Sequence, residues 1–399
     1  MIAHLRKQFN ADFQESQYQA IKDDINRDLD NSLVFRLSET PLFLDDDLTR
    51  RLIRAAYDVI EVVQHPEFHR QTVTAVPDQF SVANESPHPH FVQVDFAVCR
   101  DEQGQFLPQL IEVQGFPSLY AFQHYLDGKL RQHFPIPENF TPFFSGLLPD
   151  TYQAILGRIL LGDSAPENVI LLEYQPQKQK TRIDFQLVER YYGIKAVCVT
   201  EVFQKGNRLY YRDAGRDIPV ERIYHRFIFD ELLRANAECN FNLKDGDLQV
   251  QWVGHPNWFF RLSKHPLPLI KSPYCPECHY LSELIEYPED LSNYVLKPLY
   301  SFAGQGVQVD FDAATLDAIA DPENYILQRK VTYTPLIETP DEPAKAEIRM
   351  MFIWEDGQEP LLVNNLLRLS KGRMMGVDFN RNRTWVGSSL AFHRLDEAF

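Results

Sequence analysis

Cysteine is scarce. The five present, Cys99, Cys198, Cys239, Cys275 and Cys278, are odd in number and scattered, which argues against a disulfide framework and fits a reducing compartment. Long apolar runs are missing too: no stretch approaches about eighteen uninterrupted apolar residues, so no membrane-spanning helix is expected. The opening MIAHLRKQFNADFQ lacks the basic start and apolar run of a signal peptide, and a cytoplasmic location is the expectation. There is no dense lysine or arginine block either. A formal net charge of −16 would repel a polyphosphate backbone, so a nucleic-acid partner is not expected. Neither internal repeats nor low-complexity tracts interrupt the chain. What remains is an ordinary globular composition, 44% apolar and 24% charged over 399 residues, enough for a large core divided into two or three lobes.

Three regions follow from the pattern. Residues 1–65 read as helical, because QYQAIKDDINRDL and DDDLTRRLIRAAYDVIEVVQ carry apolar positions at three- and four-residue spacing, the second with Asp45 to Asp47 as an acidic first turn. Two β-rich runs follow, Phe91–Val98 and Phe106–Val113, with a polar connection containing Gly104 between them. NVILLEY, the helical TRIDFQLVERYYGI ending at Gly193, and KAVCVTEVF then spell a βαβ unit, which RLYYRD and RIYHRFIF extend. An open α/β domain over roughly 145–255 is the expectation. The proline-rich stretch from Pro256 to Pro276 marks a boundary, after which YVLKPLY, YILQRKV, EIRMMFIW and PLLVNNLLRLS read as strands, with a helix near AATLDAIA. The domain limits are thus 1–144, 145–255 and 256–399.

VLKPLYSFAGQGV, residues 295–307, joins a strand to Lys297 and then to Gly304 and Gly306. A lysine at a strand end followed by permissive glycines suits a nucleotide, since an ammonium and bare backbone amides both meet phosphate oxygens. The loop matches neither the P-loop nor the dinucleotide fingerprint, and a Lys-Pro strand with a glycine turn, taken alone, is more often a plain hairpin. Its company is more specific: in YILQRKV, backbone groups from Gln328 to Val331 suit an adenine edge, and EIRMMFIW sets Arg349 on a strand, where a guanidinium offers fixed bidentate donors to a phosphoryl group. A solvated strand arginine is the plain alternative.

In this order, an LKP strand, a glycine-rich flap, a Q..V hinge and an E.R strand, the chain resembles the ATP-grasp superfamily. That resemblance implies an α/β (α+β) ATP-grasp fold and an enzyme that activates a carboxylate as an acylphosphate with Mg-ATP. An amine then displaces phosphate. Mg²⁺ is a hard cation that takes oxygen ligands. In most of the family these follow the lysine loop, whereas here the matching strands are early: VQVDFAVCRDEQGQFLPQLIEVQG carries Asp95 on one and Glu112 with Gln114 on the next, two apart and on one face of an extended strand. This layout is similar to that of circularly permuted ATP-grasp proteins, including eukaryotic-type glutathione synthetases and bacterial permuted families, in which the metal strands come first, then an open α/β pre-ATP-grasp domain, then the lysine strand.

Carried over residue by residue, the resemblance implies Asp95, Glu112 and Gln114 as metal ligands. It implies Lys297, Ser301, Gly304 and Gly306 at the ATP phosphates, with Lys264 in FFRLSKHPL as second nucleotide lysine and Lys271 as its rival. Gln328 and Val331 would border adenine, Arg349 would stabilise phosphoryl charge, and Arg368 would hold an acidic substrate group unless it forms a surface ion pair. Two departures stand out. Glu-x-Gln replaces the usual Glu-x-Asn, and Ser301 stands where glutathione synthetases carry a further acid. The expected activity is an ATP-dependent carboxylate–amine ligase, with small-molecule acid and amine partners and a homodimer common among relatives. A small-molecule kinase on the same fold and a non-catalytic nucleotide-binding protein are the alternatives.

Other signals are read as structural. CPEC, Cys275 to Cys278, has zinc-ligand spacing with His265 and His279 nearby, yet no second pair completes a tetrahedral set. His88 and His90 sit between prolines in a turn, and HPNWFF reads as domain packing. In QGFPSLYAF, Ser118 and Tyr120 either line a substrate mouth or pack.

Overall fold

The computed structural model describes residues 2–299, 306–372, 375 and 377–395. Its centre is a five-stranded antiparallel sheet in the order Gly387–Ser389, Leu361–Ser370, Lys345–Ile353, Phe91–Arg100, Phe106–Gln114. The strands of the first third therefore pair directly with those of the last third. Strand alternation sorts the side chains. Val92, Val94, Phe96 and Val98, with Ile348, Met350 and Phe352, pack on the apolar stripe of the helix Asp46–Gln64. Gln93, Asp95, Glu347 and Arg349 are left for the opposite face. The helix starts where expected, with the Asp45 side chain accepting from the Leu48 N–H.

The lead-in is less helical than its pattern suggests. Helices cover Ala3–Asp12, Glu15–Asp28 and Asp46–Gln64, while residues 29–45 between them run mostly as irregular backbone with the short strand Leu42–Phe43. That strand pairs with Ala391–Arg394, so sheet pairing with a distant segment overrides local preference.

A second, parallel sheet has the order Gln251–Val253, Arg222–His225, Val169–Glu173, Lys195–Cys198, with the helix Arg182–Tyr192 as crossover and Gly193 at φ +71° ending it. RIYH extends this sheet as expected. RLYYRD does not: Arg208–Asp213 lies in a separate antiparallel meander with Phe203–Lys205 and Arg216–Val220. Its alternating buried and exposed positions suit a sheet wetted on one side, whereas the parallel strand Val169–Glu173 is buried throughout. The third unit is a small antiparallel sheet, Cys278–Tyr280, Tyr325–Arg329, Tyr294–Pro298. Among the described residues, no helix is long and apolar enough to cross a membrane.

Candidate functional site

The polar face of the central sheet is built by register. Asp95 stands opposite Glu112 on one side and Arg349 on the other, and Glu347 stands opposite Arg368. A bulge makes the first pairing possible. Asp95 pairs with Glu112 while Phe96 pairs with Leu110, so Ile111 is the extra residue and Glu112 and Gln114 turn to the face that carries Asp95. The Gln114 amide then donates to Glu112 Oε1.

Asp95 is fully buried and doubly engaged. Arg349 donates from Nε to Oδ1 and from Nη2 to Oδ2, both at 2.6 Å, and Arg368 Nη2 reaches Oδ2 at 2.7 Å. Burial alone would raise the Asp95 carboxyl, but the two guanidiniums outweigh it and hold it below its ordinary range. Glu347 behaves oppositely: burial, reinforced by Asp95 and Glu112, keeps its carboxyl raised despite the Arg368 ion pair and a hydrogen bond from the Tyr333 hydroxyl at 2.6 Å. The third Arg349 donor goes to Gln93 Oε1 at 2.9 Å, and Gln93 Nε2 donates in turn to the Ser118 carbonyl at 3.0 Å.

The small sheet is stitched to the edge of the large one at the bulge. Lys297 Nζ donates to Gln328 Oε1 at 2.6 Å and to the carbonyl of the bulged Ile111 at 3.3 Å, and Gln328 Nε2 reaches the Leu110 carbonyl at 3.4 Å. Burial pulls the Lys297 ammonium below its ordinary pKa, with Glu112 and Cys278 opposing. Lys264 arrives from the turn after the helix Asn257–Leu262. It is 5% exposed, and burial lowers its pKa to about 8, Glu112 working the other way. Ser263 Oγ ties that turn to the lysine strand through the Leu299 carbonyl at 2.6 Å.

These elements enclose a cavity of about 270 Å³ whose wall includes Glu112, Gln114, Ser118, Lys264, Arg349 and Arg368. Six residues singled out in the sequence thus meet. Lys297 is not among the residues of this wall, its ammonium being held by Gln328 and the Ile111 carbonyl, and Val331 lies in the loop beyond the Tyr325–Arg329 strand. Gln328 is buried, its side chain spent on Lys297 and Leu110. Lys271 is elsewhere, donating to the Pro268 carbonyl in a groove with Arg54 and Asp58. Gly306 has φ +72°, and a Cβ there would meet Pro298 at 2.8 Å, so glycine is required. Ser301 and Gly304 lie outside the described residues. Tyr120 packs rather than lining a mouth: it is fully buried with its hydroxyl on the Phe352 carbonyl at 2.8 Å.

With 96% of each chain covered, the TM-score is 0.56 and the identity 12% to the apo structure of a glutathione synthetase-like effector from Globodera pallida. The fold is glutathione synthetase-like. No family model matches the chain, and no curated protein does.

Residue patterns alone gave no role to three buried charged residues, Glu347, Arg226 and Glu173. Glu347 belongs to the E.R strand, but only Arg349 was given a role. Glu173 ends one parallel strand and Arg226 directly follows its neighbour Arg222–His225, where open α/β sheets present ligand crevices. Arg226 is 2% exposed and lies over Phe116 at 4.5 Å, and its Nε and Nη1 have no hydrogen-bond partner among the described residues. Burial pushes the Glu173 carboxyl up to about 8, with Arg226 opposing. The available signal was position, a charged residue at the carboxyl end of a predicted parallel strand.

Metal-ligand spacing is the weakest expectation in geometric terms. Among the described residues, no group of three or more His, Cys, Asp and Glu side chains is arranged to hold a metal ion. Asp95 in particular spends both oxygens on guanidiniums, which suits a residue that positions Arg349. Glu112 and Gln114 offer a carboxylate and an amide carbonyl to one cavity, oxygen donors of the kind a hard divalent cation takes.

Proposed function

We propose that this chain is an ATP-dependent carboxylate–amine ligase of the circularly permuted ATP-grasp type, working through an acylphosphate. The observation that supports it most is convergence: Glu112 and Gln114 from before residue 145 share one cavity with Lys264, Arg349 and Arg368 from after residue 255. Magnesium, when bound, would neutralise triphosphate charge, and Glu112 with Gln114 would hold it.

The remaining work falls to the chain. Lys264 and Lys297 would bind phosphate oxygens, Lys297 exchanging its Gln328 contact for the nucleotide, and the ligand's charge would favour the protonated form that burial disfavours. Arg349, fixed by Asp95 and Gln93, presents a preorganised guanidinium to the transferring phosphoryl group. An oxygen of the acid attacks the γ-phosphorus and the bond to ADP breaks. The amine nitrogen then attacks the acyl carbon, the bond to phosphate breaks, and the ammonium proton passes to solvent. Arg226, buried beside Phe116 with two unsatisfied donors, would receive the carboxylate of the acid substrate.

Calorimetric titration of Mg-ATP, then product analysis with panels of acids and amines, tests the reading. Binding with ADP, phosphate and a new amide is expected, while a phosphorylated product means a kinase. The second reading, nucleotide binding without turnover, is favoured by Asp95, whose two oxygens are already shared between Arg349 and Arg368. Bound ATP with no turnover across the panel would establish it. Failure to bind Mg-ATP would remove both.

A further inference from the structure

Arg349 and Arg368 wall two cavities. Beyond the one already described lies a second of about 290 Å³, bounded by Phe35, Leu119, Leu366 and Val386 together with the same two arginines. The two spaces differ in chemistry. The first carries the carboxylate Glu112 and the ammonium of Lys264, while the second has no aspartate or glutamate in its described wall, where Arg381, Asn380, Asn382 and Ser388 join the two guanidiniums and the apolar groups. Arg368 is suited to serve both sides. Its side chain is 35% exposed and Nη2 is engaged by Asp95 and Glu347, while the buried Nε has no hydrogen-bond partner among the described residues. Arg36, also in the wall, is paired with Glu39 and donates to the Val386 carbonyl at 3.0 Å. Phe35 is held edge-on by Phe122 at 5.4 Å between ring centres. Leu119, in a left-handed conformation at φ +64°, joins the loop after Gln114 to the helix Tyr120–His133.

A pocket that sets cationic donors beside aliphatic and aromatic groups takes an anion with an apolar body. We propose that this second cavity is the acceptor subsite, and that it selects an α-amino acid with an aliphatic or aromatic side chain, its carboxylate on Arg368 and its side chain among Phe35, Leu119, Leu366 and Val386. The inference rests on the ligase reading for the word acceptor, but the pocket chemistry does not need it. A volume of about 290 Å³ admits a leucine- or phenylalanine-sized ligand and leaves glycine most of its apolar wall uncovered.

The test is direct binding to the full chain without nucleotide, by calorimetry or saturation-transfer NMR, using glycine, leucine, phenylalanine and leucinamide. Leucine and phenylalanine are expected to bind about tenfold or more tighter than glycine, and leucinamide, which lacks the carboxylate, about tenfold or more weaker than leucine. Phe35→Trp narrows the pocket and should weaken phenylalanine more than leucine. The ligand series on the unaltered protein keeps the question decidable if that variant does not fold. Equal or tighter binding of glycine, indifference to the carboxylate, or no amino-acid binding by a protein that binds Mg-ATP overturns the inference. Leucine binding by a protein that does not bind Mg-ATP upholds the pocket and removes the ligase reading.

Discussion

Asp95 illustrates how much one residue's environment decides. A carboxylate with no exposure is sustained by two guanidiniums, and removing one partner of such a buried pair costs about 3–5 kcal/mol because the other charge is stranded. Arg349→Met is therefore expected to destabilise by about that amount in urea unfolding. The double variant Asp95→Leu, Arg349→Met should lose much less than the sum of the single changes, and additivity would refute the coupling. Glu173 supplies a pH test. Its carboxyl is raised from 4.5 to about 8 by burial, so the folded state binds the proton more tightly than the unfolded chain. The stability this contributes is complete below about pH 4.5 and is lost as pH rises through about 8. Glu173→Gln, which cannot ionise, should thus gain melting temperature relative to the parent between pH 5 and pH 9, and a constant difference across that range would contradict the assignment.

At the scale of elements, the close contact between the early strand and the helix Asn257–Leu262 fixes the site. A Cβ on Gly115 would lie 2.5 Å from the Trp258 carbonyl oxygen and 2.9 Å from Leu262 Cδ1. Backbone cannot give way as a side-chain end can. Gly115→Ala should therefore destabilise by about 1–3 kcal/mol and displace Gln114, the residue before it, with thermal unfolding and Mg-ATP affinity as readouts. This contact also explains HPNWFF, whose Trp258 was legible as packing but whose partner was not. Strand content was the most readable feature: the runs at 91–98 and 106–113 correspond to Phe91–Arg100 and Phe106–Gln114, because both are rich in β-branched and aromatic residues and the first is buried from Phe91 to Cys99. The bulge at Ile111 left no such trace. Periodicity over Leu110–Gln114 breaks there, and only pairing with Asp95 shows which residue is the extra one. The parallel-sheet placement of RLYYRD failed for a related reason, since a strand's own pattern does not name its partner.

The molecule as a whole depends on pairings between distant parts of the chain. Phe91–Arg100 has Phe106–Gln114 on one side and Lys345–Ile353 on the other, so the sheet holding Asp95 is closed only when residues about 250 apart in sequence meet, as Asp95 and Arg349 do at a separation of 254. The sequence order of the candidate residues made this convergence readable for Glu112, Gln114, Lys264, Arg349 and Arg368, whose shared cavity needs both ends of the chain. It did not reveal that Asp95 would be consumed by arginines, because a carboxylate on a strand reads the same whether it faces a metal or a guanidinium. The dependence has a direct consequence for truncation. A fragment ending at residue 255 keeps the parallel sheet, but leaves Phe91–Arg100 as an unpaired edge and Asp95 with neither Arg349 nor Arg368. It is expected to aggregate or to unfold without a cooperative transition, and adding the complementary fragment 256–399 during refolding should restore the transition. If the short fragment alone melts cooperatively with near-ultraviolet dichroism like that of the full chain, the central sheet is not the cooperative unit inferred from its strand order.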